Sequence, residues 1–123
     1  MSDFDSVVDR YLAVWNETDA ATRRAQVDEL FAEGVRYIDP LASVTGRDAL
    51  DGLIGAVHQQ FPGLVFSRGD SGVDAHHDQG RFTWHLGPAG GEALVIGFDV
   101  AELDADGRIA QVLGFLDKVP AAG

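Results

Sequence analysis

The chain has no cysteine, which excludes a disulfide framework, a thiolate nucleophile and a thiolate metal site. Basic residues are scarce: nine Lys and Arg against twenty Asp and Glu, a formal net charge of −11. Such a surface repels phosphate backbones and anionic lipid, so neither nucleic acid nor a membrane is an expected partner, and strongly anionic substrates are disfavoured. No apolar run approaches the roughly 20 residues that span a bilayer. The segment Met1–Ser6 has neither a basic region nor an apolar stretch, so no secretory signal is expected and the cytoplasm is the default address. Internal repeats and low-complexity segments are absent. Gly87–Gly91 lacks the lysine and the strand–helix context of a phosphate loop. What remains is 123 residues, 46% hydrophobic and 24% charged, the composition of one globular domain over 1–123.

Periodicity then sets the elements. Phe4, Val7, Val8, Tyr11, Leu12 and Trp15 recur at helical spacing, predicting a helix from about Asp3 to Asn16. Thr18 or Asp19 should cap a second helix through Phe31, with Gly34 as its stop. Val35–Asp39 reads as a short strand closed by Pro40. A third helix should run from Gly46-Arg-Asp48 to about Phe61, ended by Pro62-Gly63. Strands are expected at Leu64–Ser67, Val73–His76, Gly80–Leu86, Ala93–Leu103 and Ile109–Lys118, with turns at 68–72, 77–79, 87–91 and 104–107. Helices first and mainly antiparallel strands afterwards make an α+β fold, with helices on one face of a curved sheet. Both faces of Ala93–Leu103 are apolar, so the second face needs cover, most simply from a partner subunit's sheet.

Three polar residues interrupt this pattern on faces that should point inward: Tyr11, Asp39 and Asp99. Burying a carboxyl without partners costs several kcal/mol, unless the group takes up a proton. If the three converge, a carboxylate base would face neutral hydrogen-bond donors. Each also has a plainer reading. Asp39-Pro40 is a common turn dipeptide, Asp99 could pair with Arg36 or Arg81, and Tyr11 could be a core aromatic. His76-His77-Asp78 reads as a polar turn, since adjacent strand residues point to opposite faces, and no metal site is expected. His58, one residue past the apolar stripe of its helix, should be exposed. Asp104–Gly107 lacks the length and terminal glutamate of a calcium loop and reads as a hairpin. Trp15, Phe31, Leu53, Val57, Phe61, Phe82, Trp84 and Phe115 are the candidate core, some of them walling a substrate-binding cavity. A bulky apolar pocket suits a steroid-like, terpenoid or polyketide carbonyl compound.

Val8-Asp-Arg-Tyr-Leu-Ala-Val-Trp-Asn16, Tyr37-Ile-Asp-Pro40, Gly97-Phe-Asp-Val100 and the downstream Gly107-Arg-Ile109 resemble the nuclear-transport-factor-2-like (NTF2-like) superfamily. Within it they are most similar to the ketosteroid isomerases and the SnoaL-like polyketide cyclases. The resemblance covers nearly the whole chain and implies a cone-shaped, cystatin-like α+β roll, about three helices on a strongly curved, mostly antiparallel sheet. It further implies a cofactor-independent isomerase, lyase or cyclase, or else a non-catalytic binding protein for a hydrophobic small molecule; the homodimer is expected from the apolar second face of the sheet. In the isomerase pattern Asp39 matches the general base, and Tyr11 with a protonated Asp99 matches the donor pair for the enolate oxygen. The cyclase pattern places its acid near Gly114. The epoxide-hydrolase pattern wants an arginine where Gly97 stands. Extra material near Gly69–Gly72 and Gly87–Gly91 lies where it could reshape the cavity mouth.

Overall fold

Helix α1 (Phe4–Asn16) buries the apolar stripe that its sequence spells, Phe4, Val7, Val8, Tyr11, Leu12 and Trp15 together with Val14. The computed structural model describes residues 4–69 and 72–120, so a start at Asp3 and the middle of the turn at 68–72 lie outside the described residues. Asp19 caps α2 (Ala20–Leu30), its carboxylate accepting from the Thr22 N–H at 2.9 Å. The helix does not reach through Phe31, and Gly34 does not stop it. Phe31 closes the last helical hydrogen bond to the Val27 carbonyl while already extended at φ −104°, ψ 145°. Strand β1 (Phe31–Ile38) therefore begins with no loop, and Gly34 lies exposed within it. Burial of the Phe31 ring against Tyr11 draws the chain into the sheet at that point: packing outweighs the local stop signal.

Strand β2 (Ser43–Thr45) pairs antiparallel with β1; three residues are too few to show a period in sequence. Helix α3 (Arg47–Gln60) follows, then β3 (Val65–Arg68), β4 (Asp74–His76), β5 (Gln79–Gly87), β6 (Val95–Leu103) and β7 (Ile109–Lys118). Strand β6 begins two residues later than the apolar run at Ala93 predicted. The strand order is β2-β1-β7-β6-β5-β3, with β4 paired to β5. Every described pairing is antiparallel except β1 with β7. Three helices pack on a curved, unclosed mixed sheet, the α+β arrangement that the resemblance implies.

The core lies between the helices and the inner face of the sheet, where Val8, Val27, Phe31, Leu50, Ile54 and Ile109 are fully enclosed. Arg23 is buried with them and donates to Asp51 at 2.8 Å, tying α2 to α3. The edge strand β3 is held by α1. The Asn16 side-chain amide donates to the Phe66 carbonyl at 2.8 Å and accepts from the Phe66 N–H at 2.7 Å, as a neighbouring strand would. Register matters most at the centre. Ile38 pairs with Leu113 and Asp99 with Gly114, so Asp39, one residue past β1, comes level with Gly114 and Asp99 on neighbouring strands. No helix among the described residues is long and apolar enough to cross a membrane.

Candidate active site

An open cavity of about 110 Å³ lies between α1, α3 and the inner face of the sheet. Tyr11, Tyr37, Asp39 and Asp99 bring polar oxygens to it, Trp15, Phe61, Phe66 and Trp84 supply aromatic wall, and Leu41 and Val119 stand at exposed positions of its lining. The structure thus gathers Tyr11, Asp39 and Asp99 around one space. Of the other candidates, Trp15, Val57, Phe61 and Trp84 line it, whereas Phe31, Leu53, Phe82 and Phe115 do not. Phe31 and Phe82 pack edge-on against the Tyr11 ring, with centroids 6.1 and 5.3 Å away, and belong to the core that holds that ring. Leu53 packs against the same core. Phe115 follows the inward Gly114 and so points outward; it is 51% exposed and stacks on Phe98 at 4.9 Å.

Asp99 sits in the middle of β6 and is only 2% exposed. The Tyr11 hydroxyl donates to its Oδ2 at 2.7 Å. Neither anticipated arginine reaches it: Arg81 lies 3.5 Å from Asp74, and Arg36 is on the exposed side of β1. Burial pushes the Asp99 carboxyl up to about 6; the Tyr11 hydroxyl and the Trp84 indole, which favour the carboxylate, hold it down, and the charge of Asp39 adds to the rise. Tyr11 is driven well above the usual phenol range, first by burial and then by the Asp99 charge, and remains a neutral donor. The buried Trp15 N–H makes no well-formed hydrogen bond, although its nearness to the Tyr11 hydroxyl offsets part of that rise.

Asp39 is held differently. Its Oδ1 accepts the backbone N–H groups of Leu41 and Ala42, each at 2.8 Å, and its Oδ2 accepts the Tyr37 hydroxyl at 2.6 Å. Asp39 thus belongs both to a turn and to the cavity lining: one oxygen shapes the turn after Pro40 and the other faces its tyrosine. Tyr37 was legible only as a residue sharing a face with Asp39, and was not singled out for the site. Burial raises its phenol first, then the charge of Asp99 and the hydrogen bond to Asp39, so it too stays protonated.

Gly114 makes the approach of the two acids possible. A Cβ there would lie 2.8 Å from Asp99 Oδ1 and 3.2 Å from Asp39 Cβ. The position where the cyclase pattern puts an acid has no room for one while Asp99 is in place. At Gly97 a Cβ would meet the Trp84 ring at 2.4 Å, so that indole occupies the place of the epoxide-hydrolase arginine. His58 is not exposed as expected. It is half-buried, its Nε2 2.6 Å from the Trp15 carbonyl, and ties α3 to the last turn of α1. His76 ends β4, and the turn follows at His77-Asp78, with φ +54° at His77. No group of three or more metal-ligating side chains occurs among the described residues.

The SnoaL-like domain family matches residues 8–112. Among solved structures, a protein of Agrobacterium tumefaciens named a putative isomerase of the SnoaL-like family is 38% identical, with a TM-score of 0.90 over 95% of this chain and 99% of that one. A putative ketosteroid isomerase from Kribbella flavida is 22% identical, with a TM-score of 0.69 over 96% and 82% of the two chains. A putative SnoaL-like polyketide cyclase from Jannaschia sp. is 21% identical, with a TM-score of 0.68 over 90% and 85%; these two share the fold. No curated protein sequence matches. A family match over most of the chain, together with a 38% identical structure of the same shape, makes this protein a member of the SnoaL-like family within the NTF2-like superfamily.

Proposed function

We propose that the protein is a cofactor-independent enzyme of the ketosteroid-isomerase-like kind, which moves a proton at a carbon beside a carbonyl. Asp39 takes the α-proton: the C–H bond breaks, an O–H bond forms on the carboxylate, and the electron pair flows into the carbonyl as an enolate. Return of the same proton at another carbon shifts a double bond and restores the carboxylate. In the enolate complex Tyr11 turns its one hydroxyl proton from Asp99 to the enolate oxygen, and protonated Asp99 donates to the same oxygen inside the cavity, where water competes least. The single observation carrying this reading is that two aspartates flanking Gly114 line one cavity in unlike surroundings, Asp99 raised by burial and Asp39 held by three donors. No Lys, Arg or His is among the residues lining that cavity. The substrate is therefore an uncharged, largely apolar carbonyl compound.

The test is a spectroscopic assay of β,γ-unsaturated ketones with wild type and Asp39→Asn, alongside titration with a phenolic enolate mimic. Turnover that Asp39→Asn abolishes while the phenol still binds supports the reading. Phenol binding without turnover of any such ketone leaves a small-molecule receptor.

We infer further that two chains associate through the outer face of the sheet. Phe115 is half exposed there and stacked on Phe98, and Ile96, Val100 and Leu113 continue the same face across paired strands. An apolar sheet face of this kind is covered in a stable protein.

A further inference from the structure

We propose that Tyr37 is the positioning residue of the base: its hydroxyl fixes which oxygen and which lone pair of Asp39 receive the proton. An ionised carboxylate offers about four acceptor positions. Three are occupied here, two on Oδ1 by the Leu41 and Ala42 N–H groups and one on Oδ2 by Tyr37 at 2.6 Å. The vacant position is on Oδ2, so the substrate's proton enters there. The backbone donors belong to the turn and would hold Oδ1 with or without Tyr37. The phenol alone restrains Oδ2, because Tyr37 precedes Asp39 by two residues and shares its face of the strand.

The bond also keeps a neutral donor on the Asp39 carboxylate. Tyr11 on α1, Tyr37 on β1 and Asp99 on β6 are the titratable side chains that join Asp39 in the cavity lining, while α3 and β7 present Val57, Phe61 and Leu116. A phenol that stays protonated remains a donor to the carboxylate throughout. Tyr37 is such a donor, being 4% exposed and next to two acids.

The effect on rate rests on the proton-transfer reading above; the effect on titration does not. Tyr37→Phe keeps the ring and removes only the hydroxyl. Its acid limb of kcat/KM should move to higher pH by about one unit, the size expected when a carboxylate loses one hydrogen bond. Plateau kcat should fall about tenfold, with affinity for a phenolic enolate mimic unchanged. An acid limb superimposable on that of wild type overturns the proposal.

A second measurement needs no turnover. Tyr11 and Tyr37 are the only tyrosines in the sequence, so protein labelled with 3-fluorotyrosine gives two fluorine resonances, assigned by the one missing from Tyr37→Phe. The Tyr37 resonance should show a pH step that disappears in Asp39→Asn and persists in Asp99→Asn. A Tyr37 resonance without that step, or with a step kept in Asp39→Asn, overturns the proposal even if the protein proves to be a receptor.

Discussion

The cavity holds two tyrosine–aspartate pairs of the same chemistry and opposite character. Tyr11 and Asp99 stand 88 residues apart in sequence, meet at 2.7 Å in the buried interior, and leave an acid that titrates near 6. Tyr37 and Asp39 are two residues apart on one strand, meet at 2.6 Å, and surround an acid whose other oxygen is tied to a turn. The contrast lies in the surroundings rather than in the hydrogen bond. Asp99 has one strong donor and is almost wholly enclosed, so desolvation dominates. Asp39 adds two backbone N–H groups to its phenol at the end of a strand. Two acids a few ångströms apart can do different work when one is dry and the other is hydrogen-bonded on both oxygens.

Breaking the locally built pair has the largest expected effect. Asp39→Asn removes the proposed base and should lower kcat by about 10²–10⁴-fold, with phenol affinity nearly unchanged, as steady-state kinetics and a binding titration would reveal.

Asp99→Asn acts on the other pair, and its clearest signature is in stability. The folded-state acid is raised to about 6 from an unfolded value of about 3.9. The native state therefore binds the extra proton between those values, and stability falls as pH rises through that window, levelling off above about 6. Asparagine does not titrate. The stability of Asp99→Asn relative to wild type should therefore rise by about 2.4 kcal/mol from pH 4 to pH 8, read by urea unfolding. A pH-independent difference would mean that Asp99 is solvated.

Gly114→Ala sharpens the comparison by pressing on both acids at once. Its Cβ meets Asp99 Oδ1 first, so phenol affinity should drop by about tenfold and stability by about 1–3 kcal/mol, measured by titration and thermal unfolding. Equal wild-type values would show that the two acids have room to spare. Phe115→Asp, on the other face of the same strand, should leave both pairs alone. It should convert a species with the mass of two chains into one with the mass of a single chain in light scattering, at under about 0.5 kcal/mol of intrachain stability.

Much of this was legible in the sequence, unevenly. The stripe of α1 placed Tyr11 on its inward face, because apolar neighbours at helical spacing leave no other face to bury; β6 is apolar on both faces, so its period of two grouped Asp99 with Val95, Gly97 and Ala101 without deciding which side faces the helices. Asp39 was legible as a turn residue and as a cavity residue, and it is both. The end of α2 was misread because a glycine three residues past Phe31 is a weaker signal than the burial of Phe31 itself. The wall residues were read by size, and size cannot tell which side of a ring is empty. Phe31 and Phe82 back Tyr11, and Phe115 follows Gly114, which points inward.

The sequence by itself determined the helices, the longer strands and the face that Tyr37 shares with Asp39, since these depend on periods of two or 3.6 residues within one segment. Tertiary structure alone decided that Asp99 meets Tyr11 and that both acids flank Gly114. Those contacts depend on the register of β6 and β1 against β7, a sum of many pairings across the sheet that no local stretch encodes.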